Sequence, residues 1–208
     1  MELGDSRSSA LGIEWRSRRS FTLGGLIGTV SCLVAGTATI AQPSEAPFFQ
    51  SGRFQFTTIR PQRELPSARL FGLDGKTTDL VSLRGRPILL NFWVSWCAAC
   101  KIELPILDRL VGEKDIHVVA ISEDRGGREA VTRFADLLKL RRLPIYLDPN
   151  GYVAHSDPDN TRNAPFALYG MPITYLIASS GLVVGYMPGA ADLEDTSAKA
   201  LIEYLRSA

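Results

Sequence analysis

Continuous apolar runs alternate along this chain with stretches in which apolar residues recur at helical spacing. The runs Ile88–Val94 and His117–Ser122 predict strands buried on both faces, because no polar position interrupts their pattern. Apolar residues at helical spacing follow each run, and they predict one helix after Cys100 and a second over Arg128–Leu140. Strand–helix–strand units of this kind form parallel sheets covered by helices, with right-handed connections.

The remaining pattern predicts antiparallel strands on either side of this unit. Strands are expected over Arg69–Leu73, Lys76–Leu80, Ile145–Leu147, Pro172–Ala178 and Leu182–Met187, with a closing amphipathic helix over Asp192–Leu205. Residues 152–169 are the least regular part, and one helical turn and a loop are expected there. The predicted class is therefore α/β, a three-layer sandwich with a central mixed sheet, an antiparallel C-terminal edge and helices on both faces.

The N-terminal part of the chain has the pattern of an export segment. The uncharged apolar stretch Phe21–Ala41 follows a polar segment with four arginines. This order predicts that the N-terminus stays on the cytoplasmic side of the membrane and that the chain after Ala41 lies on the outer side. Residues 17–23 resemble a twin-arginine signal. We predict an export signal or N-terminal membrane anchor in residues 1–41, a tether in 42–60 and one domain in 61–208. The domain is then expected to be periplasmic or extracytoplasmic, either soluble after cleavage of the signal or tethered by an N-terminal membrane segment.

Charge and cysteine count narrow the possible chemistry. The 208 residues carry a formal net charge of +1, and beyond Ala41 basic and acidic residues are equal in number, which argues against a nucleic-acid partner. Cys32 lies in the apolar leader, so the predicted domain holds only Cys97 and Cys100. Two cysteines do not complete a four-ligand zinc site, and no metal site is predicted.

The spacing of these two cysteines points to redox chemistry. Cys97 and Cys100 stand where the strand Ile88–Val94 ends and a helix begins. Unpaired N–H groups and the positive end of the dipole favour an anion at a helix start, here the nucleophilic thiolate of Cys97. Cys100, one turn into the helix, can close a disulfide. Trp93 is expected in the core and Trp96 as a partly exposed cover of the pair.

Several separated motifs resemble the TlpA/ResA-type thioredoxin-fold thiol–disulfide oxidoreductases. They are, in order, residues 65–70, 74–76, 83–87, 91–105 and 170–177. The resemblance covers about residues 61–207 and implies a thioredoxin fold with no cofactor beyond the cysteine pair. It also implies reduction of disulfides in exported proteins such as apocytochrome c, with electrons from a membrane thiol carrier. We expect a monomer.

The resemblance also assigns roles to residues of this chain. It implies that Cys97 attacks, that Cys100 resolves, and that Pro172 is the cis-proline facing the pair. A cis bond before Pro172 would turn the backbone of Met171 toward the sulfurs, where an extended substrate can add. Trp96 and Met171 are thus expected to contact substrate. Glu103 matches a carboxylate position of the family and is either a proton acceptor for Cys100 or a solvated helix charge.

Some features leave alternatives open. Ala98 and Ala99 stand where the family commonly has a proline before the second cysteine, so the redox potential and direction are not fixed by the sequence. A copper chaperone would use Cys97, Cys100 and His155 as soft ligands. A peroxiredoxin-type peroxidase would need a threonine shortly before its cysteine, and Ser95 is the nearest hydroxyl.

Overall fold

The computed structural model describes residues 45–113 and 115–208, and these residues fold around one eight-stranded sheet. The strands are β1 Gln50–Ser51, β2 Phe54–Gln55, β3 Thr57–Glu64, β4 Arg69–Gly72, β5 Thr77–Asp79, β6 Ile88–Trp93, β7 His117–Ser122, β8 Ile145–Leu147, β9 Ala154–His155, β10 Phe166–Ala167, β11 Ile173–Ile177 and β12 Leu182–Pro188. The α-helices are α1 Cys100–Leu110, α2 Gly127–Leu137 and α3 Thr196–Ser207, and a 3-10 helix spans Leu80–Leu83. The predicted leader, residues 1–41, lies outside the described residues.

The order of strands places β6 inside the sheet. The order is β3-β12-β11-β6-β7-β8-β4-β5, with β6, β7 and β8 parallel to one another. β11 pairs antiparallel with β12, as the sequence predicts, and it also pairs antiparallel with β6. The C-terminal pair does not end the sheet, because β3 pairs with β12 and forms that edge.

The two faces of the sheet are covered differently. The face with Leu89 and Trp93 packs against buried residues from α1, α2 and α3. The opposite face, with Ile88 and Leu90, packs against the 3-10 helix and the strands β9 and β10. α-Helices were expected on both faces. The α-helices pack on one face instead. α1 and α2 share this face because β6, β7 and β8 follow each other in one direction across the sheet, and right-handed connections then place both helices on the same side.

Residues 45–60 pack against the domain. β1 and β2 form an antiparallel hairpin, and β3 continues into the sheet. Phe49 and Phe56 are 1% and 7% exposed and belong to the same core cluster as Cys100. The alternating phenylalanines of this segment therefore cover the domain.

Residues 152–169 contain two short parallel strands, β9 and β10, in place of the predicted helical turn. Side chains organise this segment. The Asp148 carboxylate accepts hydrogen bonds from the backbone N–H groups of residues 152–154. The Asn160 side chain bonds both backbone groups of Ala164. Such bonds replace regular secondary structure.

None of the helices in the described part of the chain has the length and apolar character needed to cross a bilayer.

Candidate active site

Cys97 and Cys100 form a disulfide at the carboxyl end of β6, with their Cα atoms 5.3 Å apart. Cys100 is the first residue of α1 and is fully buried, whereas Cys97 precedes the helix and is 8% exposed. The two residues thus differ in exposure to solvent. A partner can reach Cys97 more easily than Cys100.

A backbone hydrogen bond supports the Cys97 sulfur. The N–H of Cys100 donates to the Cys97 Sγ at 3.1 Å. This N–H belongs to the first turn of α1, where the helix dipole is positive. A hydrogen bond and a positive dipole end both stabilise a thiolate more than a thiol, so this position is suited to a nucleophilic thiolate at Cys97.

Glu103 is a buried residue of α1, three residues after Cys100. Its Oε1 accepts from the Ala191 N–H at 3.1 Å, and its Oε2 accepts from Asn91 Nδ2 at 2.7 Å. The same Asn91 amide donates to Thr174 Oγ1 at 2.9 Å. The alternative of a solvated helix charge is therefore wrong, since Glu103 is 0% exposed.

Burial controls the proton affinity of Glu103. Loss of solvent raises the pKa of its carboxyl from 4.5 to about 8, against the opposing effect of the hydrogen bonds from Ala191 and Asn91. The carboxyl is therefore protonated at neutral pH in this disulfide form. Cys100 and Glu103 are three residues apart on α1, which places them as neighbours on one helix face.

Met171 and Pro172 lie beside the loop that carries Cys97. In the antiparallel pair of β11 and β6, Ile173 is opposite Phe92, so the two residues before β11 run alongside the exit from β6. The Met171–Pro172 peptide is cis, and Pro172 is buried while Met171 is half-buried. Within the described residues the backbone of Met171 makes no hydrogen bond.

The two tryptophans near the pair differ in exposure, as expected from the sequence. Trp96 is 77% exposed, directly before Cys97. Trp93 is fully buried and stacks on Phe134 of α2, with ring centroids 5.2 Å apart. Trp96 is thus available to a partner, and Trp93 anchors the end of β6 in the core.

The segment after β7 supports the site and was missed in the sequence. Asp124 Oδ2 accepts from the Ser95 N–H at 2.6 Å and holds the loop before Cys97. Glu123 donates its backbone N–H to the Trp93 carbonyl. Burial, and then the neighbouring Asp148, raise the pKa of the Glu123 carboxyl to about 9. Strand order alone could have indicated that the residues after β7 contact the loop before Cys97, because the neighbouring parallel strands β6 and β7 have their carboxyl ends on the same side of the sheet.

The residues of the two alternative functions lie in less suitable places. His155 lines a cavity together with Arg63 and Tyr175. Tyr175 belongs to the core on one face of the sheet, whereas Cys97 and Cys100 belong to the core on the opposite face. No group of three His, Cys, Asp or Glu side chains within residues 45–113 and 115–208 is arranged to hold a metal ion. Ser95 is partly buried, with its N–H bound to Asp124.

Comparison with known proteins gives consistent matches. A family model described as the AhpC/TSA family matches residues 61–185. The thiol-disulfide oxidoreductase ResA of Oceanobacillus iheyensis is 34% identical over 125 residues, which are 59% of this chain and 59% of that protein. The thiol:disulfide interchange protein DsbE of Pseudomonas aeruginosa is 29% identical over 150 residues, 72% of this chain and 73% of its own length.

A solved structure matches the fold. A thiol:disulfide interchange protein of the thioredoxin family from Chlorobium tepidum superposes with a TM-score of 0.54 at 20% identity, covering 71% of this chain and 99% of that one. This match confirms the predicted thioredoxin-like α/β fold. The names of the two relatives agree with the resemblance and the enzyme class predicted from the sequence.

Proposed function

The chain belongs to the AhpC/TSA family, and on that premise we propose that it is an extracytoplasmic thiol–disulfide oxidoreductase. It reduces disulfides in exported proteins such as apocytochrome c. The observation that carries the proposal is the hydrogen bond from the Cys100 N–H to the Cys97 sulfur at the start of α1. It gives the more accessible sulfur the environment of a nucleophile and leaves the buried sulfur to resolve.

The reaction is a pair of thiol–disulfide exchanges. In the reduced protein the Cys97 thiolate attacks one sulfur of the partner's disulfide, forms a mixed disulfide and releases the other partner sulfur as a thiolate. The Cys100 thiolate then attacks the Cys97 sulfur, which forms the intramolecular disulfide and releases the second partner sulfur. Two electrons pass to the partner.

Glu103 serves as the proton acceptor for Cys100 in this scheme. Cys100 must lose its proton before it attacks, and a buried acid with a pKa of about 8 can take that proton near neutral pH. The disulfide form described above is the product of that step, and its Glu103 is protonated. Reduction of the disulfide returns the proton to Cys100.

The partner binds along Met171 and Trp96. The backbone of Met171, which makes no hydrogen bond within the described part of the chain, can bond an extended chain in the manner of an added strand. The exposed indole of Trp96 adds apolar contact area. Pro172 fixes the direction of this backbone. The reducing direction, the membrane thiol carrier as electron donor and the periplasmic location follow from the resemblance and the predicted leader.

Reduction of insulin by dithiothreitol tests the exchange reaction. The full chain should accelerate it, and Cys97→Ser should abolish the acceleration. Cys100→Ser should accumulate a mixed disulfide with the partner, detectable by mass spectrometry, because the resolving thiol is gone. Cys32→Ser, in the leader, is the matched control and should keep full activity. Acceleration by Cys97→Ser would exclude the proposed nucleophile.

The equilibrium potential of the pair in a glutathione buffer tests the direction. A value of about −270 mV, as in thioredoxin, supports a reductase. A value of about −120 mV would show an oxidase and contradict the proposed direction.

A further inference from the structure

Residues 189–192 form a short segment beside the candidate active site. The Gly189 N–H donates to the Pro172 carbonyl at 2.7 Å. Two residues later, the Ala191 N–H donates to Glu103 Oε1 at 3.1 Å. One segment therefore contacts both the cis-proline and the buried acid, and the position of its backbone sets one of the hydrogen bonds that Glu103 receives.

The N-terminal hairpin presents a continuous inner face to the domain. In the pairing of β1 with β2, Ser51 is opposite Phe54 and Gln50 is opposite Gln55, so the two pairs face opposite sides. The inner face consists of Phe49, Ser51, Phe54 and Phe56, each buried or half-buried. The outer face carries Phe48, Gln50 and Gln55, all exposed.

This inner face holds residues 189–192 directly. Ser51 Oγ accepts the N–H of Asp192 at 2.9 Å. The ring of Phe54 lies so close to Gly189 that a Cβ at this position would overlap it, and Gly189 also has a φ of +73°. Both contacts flank Ala191, one on each side. A shift of the hairpin would therefore move the Ala191 N–H.

We propose that the hairpin of residues 49–56 is a positioning element for Glu103, which acts by holding the Ala191 N–H against the carboxyl. The inference rests on the proposed function, in which Glu103 takes the proton of Cys100. The segment expected to serve as a tether then has a second role, because it helps to set the proton affinity of an active-site group.

The direction of the effect follows from the hydrogen bond. An N–H that donates to a carboxyl stabilises the ionised form and lowers its pKa. A hairpin that no longer holds residues 189–192 weakens this bond, so Glu103 should bind its proton more tightly. The effect depends on the inner face and not on the outer one.

Carbon NMR of the full chain with labelled glutamate carboxyls tests the proposal. The Glu103 signal is identified by its loss in Glu103→Gln. In the double variant Ser51→Ala/Phe54→Leu the titration midpoint of Glu103 should rise by about half a pH unit or more, the size expected for one weakened hydrogen bond. Leucine keeps an apolar cover but lacks the ring that contacts Gly189.

The matched control changes the outer face of the same two strands. Gln50→Ala/Gln55→Leu should leave the midpoint within about 0.2 units of the unaltered chain. Equal midpoints in both double variants would overturn the proposal, and so would a downward shift, which would mean that the hairpin only excludes water. The carboxyl signal does not depend on thiol exchange, so this result is independent of the insulin assay with Cys97→Ser.

Discussion

Glu103 shows how burial changes the behaviour of a single residue. Its pKa is about 8 in the fold and 4.5 when the carboxyl is solvated, so the folded state holds the proton more tightly than the unfolded state. Well below pH 4.5 the carboxyl is protonated in both states, so it does not make the free energy of unfolding depend on pH there. Stability falls as the pH rises from 4.5 to about 8, because the unfolded chain ionises first, and the loss is complete above the folded-state pKa.

Glu103→Gln should remove this pH dependence, because a carboxamide of the same shape does not ionise. Between pH 5 and pH 8 the unaltered chain should lose about 3 kcal/mol more unfolding free energy than the variant, by linkage. Urea unfolding of the disulfide form at the two pH values measures the difference. Glu129→Gln, on an exposed part of α2, is the control and should behave as the unaltered chain does. Parallel pH profiles for the chain and Glu103→Gln would contradict the protonated, buried carboxyl.

The sequence identifies Glu103 as a candidate but does not predict its burial. A glutamate two residues after Lys101 in a helix has the pattern of a surface charge. Its burial depends on Asn91 and on Ala191, and Ala191 lies 88 residues further along the chain. The cysteines are easier to predict, because strand, spacing and helix start are all local.

At the scale of elements, one carboxylate organises the segment after β8. Asp148 is 4% exposed and accepts three backbone N–H groups, from Tyr152, Val153 and Ala154, at 2.7 to 3.1 Å. These bonds fix the turn that leads to β9. The segment covers the face of the sheet that has no α-helix, so its order matters to the whole core.

Asp148→Ala should cost about 3 to 5 kcal/mol of unfolding free energy, because two buried donors and one partly buried donor lose their acceptor. The control is Asp157→Ala. Asp157 also precedes a proline, but within the described residues its side chain accepts a single, exposed backbone bond, from the N–H of Asp159. This control should cost about 1 kcal/mol or less. Urea unfolding compares the two. Equal losses would show that the three bonds to Asp148 do not hold the segment.

The sequence predicts most elements of the sheet but not the irregular ones. The strands His117–Ser122 and Ile145–Leu147 have the predicted bounds, because apolar runs mark buried strands clearly. The sequence predicts a tether over residues 42–60 and does not indicate the hairpin β1–β2 or the edge strand β3, since the partner of β3 is β12, more than 100 residues away. In residues 152–169, hydrogen bonds from side chains hold the backbone. Apolar residues show no strand or helix periodicity there, so no pattern indicates β9 and β10.

At the scale of the molecule, the fold joins three distant parts of the chain into one site. The loop after β6 supplies the cysteines, the residues before β11 supply the cis-proline, and residues 189–192 after β12 reach Glu103 on α1. The adjacent strands β12, β11 and β6 bring these parts together at the end of the sheet where β6 and β12 finish and β11 begins. Strand order predicts that these segments lie close together, whereas the hydrogen bonds between them depend on the three-dimensional packing of the side chains.

The most direct test of the account is the thiol pKa of Cys97 in the reduced chain. It can be measured from the pH dependence of the alkylation rate in Cys32→Ser/Cys100→Ser, which leaves Cys97 as the single cysteine of the 208 residues. The helix start and the backbone N–H of residue 100 predict a pKa clearly below about 8.5, the value of a free cysteine. A pKa at or above that value would contradict the proposed nucleophile and the exchange mechanism built on it.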